Sequence, residues 1–364
     1  MYKEYAIFEK NKSYIILFPQ IHFWLKTNKH GLLVFSNLLK NRIGENEIKM
    51  KKMIEDGALD IEYSQDIGID LIEIEFGTNF HEEQINVFLQ INNELWNKNI
   101  SKGLIIKKQA FLTNLEESKL LRLRFNYIEI DCNHDTIEEI LLKADVFDEI
   151  KTVHLKNIIL NTDVIEQLAE LKRRKKLEVI IHVRNNKYMY DYIKVCAYNS
   201  WYFTVEIESF ESSYYDLYTS LVDYIKLLDW NIDYKKYCSL FSYEKVIKER
   251  LVRKSCGLVR DKIYICEDGK IYSCQDCAQR KCFAIATVFD DDFLQKWKCG
   301  PVCEKIRKLT VESIKECSDC CFRYICGGQC RMKSFDKYKS FDRKSAYCED
   351  EKKIYVELLW ECFE

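Results

Sequence analysis

Cys317-Ser-Asp-Cys320-Cys-Phe-Arg-Tyr-Ile-Cys326-Gly-Gly-Gln-Cys330, completed by Cys348 after a gap of seventeen residues, decides how this chain is read. The pattern is C-x2-C-x5-C-x3-C-x17-C. Five thiols at short fixed intervals exceed what one tetrahedral metal site uses, so at least one of them serves a second site. Upstream, Cys256 is followed after twelve residues by Gly269, and after four more by Cys274. Between them Ile263-Tyr-Ile-Cys266 and Ile271-Tyr-Ser-Cys274 flank Glu267-Asp-Gly-Lys270, the alternation and turn of a tight hairpin that draws Cys256 towards Cys274. In the second half, C-x2-C suits a knuckle in which two sulfurs grip one metal. Gly327-Gly328 allow close folding between Cys326 and Cys330. Asp350 to Trp360 predicts a helix that turns Ile354 and Leu358 inward.

Working outward, the cysteines are unevenly spread. Of seventeen, only Cys132, Cys196 and Cys238 precede Cys256. The composition shift there marks a cysteine-rich domain over 251–364. An odd count in a long chain argues against a disulfide framework and for metal binding. Met1-Tyr-Lys-Glu-Tyr5 lacks the basic-then-apolar order of a signal peptide, and no apolar run approaches the roughly 18 residues of a membrane span, so a cytoplasmic protein is expected. A net charge of -2 gives no long-range pull towards nucleic acid or an anionic membrane.

Zinc would accept four thiolates at these spacings. Iron-sulfur clusters accept them too, and tolerate uneven intervals because a cluster is larger than a single ion. Spacing alone leaves both open and favours iron-sulfur.

Upstream, short strand-like runs recur at Leu104–Lys107, Tyr127–Ile130, Thr152–Leu155, Glu178–His182, Tyr202–Val205 and Asp223–Leu227, about 21 to 26 residues apart. Helical patterns lie between them. Ile137, Ile140 and Leu141 share one face, as do Ile165, Leu168 and Leu171, the latter capped by Thr162 or Asp163. This alternation predicts an α/β domain over 101–250 with a parallel sheet, open or curved into a partial barrel. No glycine occurs between Gly103 and Gly257, so the domain has neither a GxGxxG nor a Walker loop. Cys132, Cys196 and Cys238 read as small buried hydrophobes. His22, His30, His81, His134, His154 and His182 are dispersed and read as structural. Glu138-Glu139 and Asp290-Asp-Asp292 read as surface, and Lys172-Arg-Arg-Lys-Lys176 as a solvated helix end.

Residues 1–100 predict a hairpin from Tyr14–Phe18 and His22–Lys26, a helix through Leu32-Leu-Val-Phe35, a strand at Leu71–Phe76 and a helix over Glu82–Trp96. The lysines between Lys40 and Lys52 read as a solvated helix face, with an acidic peptide as the alternative partner.

The order Cys256-x12-Gly269-x4-Cys274 followed by C-x2-C-x5-C-x3-C-x17-C resembles the SPASM domain, the C-terminal extension of many radical S-adenosylmethionine (SAM) enzymes that modify peptides. The resemblance implies two auxiliary [4Fe-4S] clusters. Cys317, Cys320, Cys326 and Cys348 would hold the second. Cys256, Cys274 and Cys330 would hold the first, with Cys330 crossing between lobes; because no cysteine stands a few residues after Cys256, the fourth ligand would be Cys266 or Cys277, or the iron would stay open. Cys282, Cys299, Cys303, Cys321 and Cys362 match nothing in that signature.

A radical SAM barrel also carries C-x3-C-x2-C after its first strand and a glycine-rich segment, and this chain has neither. It therefore looks like the degenerate, or pseudo-radical-SAM, SPASM proteins that accompany radical SAM peptide maturases. The aromatic hairpin and Gly31-Leu-Leu-Val-Phe35 are similar to that group as well. The fold implied is a degenerate partial (β/α) barrel between a peptide- or partner-binding hairpin/helix region and the SPASM domain. The function implied is an accessory iron-sulfur protein in maturation of a ribosomally made peptide, relaying electrons or positioning the peptide. It would not be an autonomous enzyme, S-adenosylmethionine is not expected, and its partners would be a maturase, a precursor peptide or both. A metal-stabilised adaptor, with zinc in place of the clusters and no redox chemistry, is the alternative. An independent redox enzyme finds no cofactor loop to support it.

Overall fold

Alternating burial along short strands builds two sheets. The computed structural model describes residues 4–59, 69–77, 82–94, 100–106, 123–132, 150–207, 213–228, 233, 236 and 238–363. The first sheet is an antiparallel meander of β1 (Ala6–Lys10), β2 (Ser13–Phe18) and β3 (Phe23–Asn28). The expected hairpin thus gains a strand. Asn28 caps the helix Lys29–Leu39 by accepting from the Gly31 amide at 3.0 Å. Ile16, Phe18, Phe23 and Leu25 bury against Phe35 and Leu38 of that helix and Ile54 of the helix Glu45–Gly57. On the second helix Lys49 and Lys51 pair with Glu45 and Glu55 one turn away, as a solvated face does.

Among the described residues the second sheet has nine strands: β4 (Leu71–Phe76), β5 (Ser101–Ile106), β6 (Tyr127–Asp131), β7 (Thr152–Lys156), β8 (Glu178–Arg184), β9 (Tyr202–Glu206), β10 (Lys262–Ile265), β11 (Lys270–Tyr272) and β12 (Ala286–Thr287). Their order is β12-β11-β10-β4-β5-β6-β7-β8-β9, and β4 to β9 run parallel in sequence order.

The strand expected at Leu71–Phe76 is β4, and it lies in this sheet. Two expectations are corrected. Asp223–Leu227 is not a strand but the end of a helix, Tyr214–Lys226. Tyr214, Tyr218, Leu221 and Ile225 bury one face at helical spacing and Ser213 caps it, so period overrides the β-leaning local run. The helix Thr162–Lys175 is capped by Asn161, which accepts from the Val164 amide at 2.9 Å, not by Thr162 or Asp163. Its last turn carries Lys172 to Lys175, where cations oppose the negative helix end. The predicted helix face of Ile137, Ile140 and Leu141, together with His81, Trp96, Lys107, His134 and Glu138-Glu139, lies outside the described residues.

One face of the parallel strands is apolar, with Ile74, Leu104, Ile130, Val153 and Ile181 packed into the main core beside Phe88, Leu168 and Ile193. The opposite parity carries Glu73, Glu75, Tyr127, Glu129, His154 and His182. This polar face is covered by the cysteine-rich segment: Ile105 and Tyr127 pack with Tyr264, Tyr272, Cys277 and Met332.

That segment joins the sheet directly. β10 and β11 form the predicted hairpin, with Gly269 at φ 78° in its turn. β10 then pairs parallel with β4, and the amides of Asp70 and Leu71 both donate to the Asp261 carbonyl. The expected C-terminal helix spans Cys348–Glu361 and buries Ile354 and Leu358. The N-terminal sheet leans on the same region: Phe8 stacks on Phe322 at 5.4 Å, and Glu4 pairs with Arg323 at 2.7 Å. Among the described residues no helix is long and apolar enough to cross a membrane.

Candidate metal centres and a polar sheet face

Cys317, Cys320, Cys326 and Cys348, all from one stretch of the sequence, line one cavity together with Phe322, Arg323, Gly328, Lys352 and Tyr355. Their placement follows from short local elements. Cys317 lies in a single helical turn, Lys315–Ser318, and Cys326 closes another, Arg323–Cys326. Gly327, Gly328 and Gln329 follow at φ 63°, 74° and 59°, so three successive left-handed residues turn the chain back around the site. Cys348 opens the C-terminal helix, whose positive dipole end favours a negative sulfur.

The thiols are tuned unequally. A hydrogen bond from Cys321 outweighs burial and brings Cys320 down to about 6, while burial lifts Cys317 and Cys326 and pushes Cys348 up to about 11. Lys352 lies close enough to Cys320 and Cys348 to favour their thiolates. Four sulfurs around one enclosed space, with cations beside them and aromatic walls, form a donor set that fits a four-thiolate centre.

The other set is assembled from distant segments. The thiols of Cys274 and Cys277 lie 3.7 Å apart. The hydrogen bond between them holds Cys274 below its usual range and drives Cys277 far above it, with the charges of Cys282 and Cys256 adding to the rise. Burial, Asp276 and then Cys256 push Cys330 up to about 12. Cys256, Cys274, Cys277 and Cys330 are thus electrostatic neighbours in one small core. Cys330 precedes the helix Arg331–Tyr338 as Cys274 precedes Gln275–Gln279.

Cys266 borders the same core but is held by a different partner. Its thiol donates to Glu75 Oε2 at 2.8 Å, and burial followed by that carboxylate pushes it up to about 12. Cys282 contacts the Met332 sulfur at 3.9 Å. Cys132, Cys196 and Cys238 are buried, as expected of small hydrophobes.

The sheet face beneath holds a polar network that sequence reading dispersed. His154 Nδ1 lies 3.1 Å from His182 Nε2, and His182 Nδ1 lies 3.0 Å from Glu206 Oε1. Lys156 pairs with Glu129 at 2.7 Å, and Gln275 donates to the same carboxylate at 2.9 Å. Tyr127 donates to Glu73, its ring lying where a Cβ on Gly103 would stand. Burial and then His182 bring His154 down to about 4. Burial works to raise Glu129, but Lys156 and His182 outweigh it and hold the carboxyl below its usual range. Glu206 is lowered first by its hydrogen bond with His182. The missed signal was strand parity: Glu129 pairs with His154 across β6 and β7, and β8 carries His182 to the same face.

No family model matches the chain. A stretch of 56 residues, 15% of the chain, is 41% identical to an uncharacterized protein of Archaeoglobus fulgidus and covers 14% of that protein's length, well under two thirds. The fold is similar to the crystal structure of Streptococcus suis SuiB, at 14% identity and a TM-score of 0.53, covering 94% of this chain and 98% of that one. It is similar also to SuiB bound to S-adenosylmethionine, at 14% identity and a TM-score of 0.55, with coverage of 95% and 99%. At that identity the likeness is one of fold.

Proposed function

We propose that this chain is an accessory iron-sulfur protein in the maturation of a ribosomally made peptide, carrying two auxiliary [4Fe-4S] clusters and no cluster of its own for cleaving S-adenosylmethionine. The observation that carries this reading is the cavity lined by Cys317, Cys320, Cys326 and Cys348 in a chain whose sequence continues from β4 as Gly77-Thr-Asn-Phe-His81 and has no cysteine before Cys132. The SPASM-like spacing and the fold shared with SuiB support the likeness to radical SAM proteins on which this reading draws.

Cys317, Cys320, Cys326 and Cys348 would hold one cluster. Cys256, Cys274 and Cys330 would hold the other, with Cys277 as fourth ligand in preference to Cys266, because the Cys277 sulfur lies beside Cys274 and that of Cys266 is bonded to Glu75. Bound there, such groups supply one-electron transfer to or from a peptide radical. The chain's own part is to exclude water with Phe322 and Tyr355, to offset thiolate charge with Arg323 and Lys352, and to aim helix N-termini at Cys330 and Cys348. The N-terminal sheet, seated on Phe322 and Arg323, would bring a bound peptide or maturase to that centre.

The test is reduction of the reconstituted chain in the presence of S-adenosylmethionine. The reading expects no 5′-deoxyadenosine from the chain alone, and its formation would overturn it.

A further inference from the structure

Besides the thiols, the polar sheet face brings two imidazoles and a carboxylate together from three neighbouring strands. Glu129 on β6 stands in register with His154 on β7, and His182 follows on β8. We propose that Glu129, His154 and His182 hold one divalent first-row cation, a site chemically distinct from the cysteine centres and independent of what those centres contain.

Three observations carry it. The ligating atoms of the three residues lie within 4.8 Å of one another. The separation of His154 Nδ1 and His182 Nε2, 3.1 Å, is what two nitrogens have when each is about 2.1 Å from a shared ion at roughly a right angle. Glu206 stands 3.0 Å behind His182 Nδ1, which fixes the proton there and leaves the Nε2 lone pair facing His154. A carboxylate behind a ligating imidazole is the usual means of orienting it. Gln275 steadies Glu129 in the same way from the segment that covers the face. The charges agree with the geometry, because Lys156 offsets one carboxylate at Glu129 while a second, Glu206, adjoins the histidines.

One of the three ligands, His182, borders open space. A cavity of about 390 Å³ opens at the C-terminal ends of β7 and β8, with His182 in its wall beside Asn157, Arg184, Asn186 and Tyr188. Two histidines and one carboxylate leave coordination positions free, as in sites that bind a small ligand on the metal. The C-terminal ends of parallel strands are where ligands enter such sheets. Arg184 at the cavity edge suits a carboxylate or another oxygen-donor anion as that ligand.

The test is titration of the anaerobically purified full chain with Mn2+, followed by the EPR signal of the free ion and competed with Zn2+. Manganese is the probe because it ranks low in the affinity order and thiolates hold it poorly, which keeps the cysteine centres silent. The wild type should bind about one ion per chain. His154→Ala and His182→Ala should each weaken binding more than about 100-fold with far-UV circular dichroism unchanged, and Glu206→Gln by roughly 10- to 100-fold. Lys156→Met, which removes the cation competing for Glu129, should tighten it, an effect of opposite sign that a merely structural network would not produce. No bound Mn2+ in the wild type, or equal binding in both histidine variants, would overturn the proposal. Should a histidine variant fail to fold, Glu206→Gln and Lys156→Met decide it by their opposite signs.

Discussion

The two cysteine sets are built in opposite ways. Cys317, Cys320, Cys326 and Cys348 come from one stretch and line one cavity, their positions fixed by single helical turns and a Gly-Gly reversal. Cys256, Cys274 and Cys330 come from separate segments and meet because the β10–β11 hairpin closes and the segment after Gly328 packs on the same small core. A local set depends on its own backbone, a distributed set on the tertiary structure around it. Substitutions should therefore act differently on the two.

The largest effect should come from Cys320→Ala or Cys326→Ala, which remove a ligand from the enclosed set. Either should cost about half of the reconstituted iron, roughly four of eight atoms, and leave the other set filled. Retention of all the iron would break the comparison. A paired experiment sharpens it: Cys277→Ala should reduce occupancy of the distributed set, whereas Cys266→Ala should leave iron content unchanged. The reverse result would return Cys266 to the ligand role that its sequence position suggested.

Smaller effects probe the frame of each set. Burial raises the Glu351 carboxyl, near Cys326, from 4.5 to about 7. The native state then keeps a proton that the unfolded chain releases. The resulting stability is fully present below about pH 4.5 and is lost as pH rises towards 7, a change of roughly 3 kcal/mol. Denaturation midpoints should fall across that window, and Glu351→Gln should flatten the slope. Gly327→Ala should destabilise by roughly 1–2 kcal/mol, since φ is 63° and the new Cβ would stand 2.7 Å from Arg253 Cβ. Urea denaturation of the metal-free chain measures it, and an unchanged midpoint would show that the reversal after Cys326 does not need glycine.

The same contrast explains what could be read from the chain. The hairpin around Gly269, the parallel strands and the helix from Cys348 were legible because each is announced by local alternation, turn chemistry or period. The meander strand Ala6–Lys10 was not, since one exposed edge strand carries little apolar pattern. Asp223–Leu227 misled because five residues suggest a strand while the buried stripe from Tyr214 to Ile225 shows a helix. Cys266 is one of the cysteines that the SPASM resemblance offers as a fourth ligand. What turns its thiol to Glu75 is the register of β10 on β4, where Ile265 pairs with Ile74, a relation between residues far apart in sequence. His154 and His182 were read as isolated for the same reason: only strand order makes them neighbours.

The most direct measurement is Mössbauer spectroscopy with iron and sulfide analysis on the anaerobically reconstituted chain. The account predicts about eight irons per chain, all in [4Fe-4S] form. Zinc bound in place of iron, or about twelve irons signalling a third cluster, would contradict it.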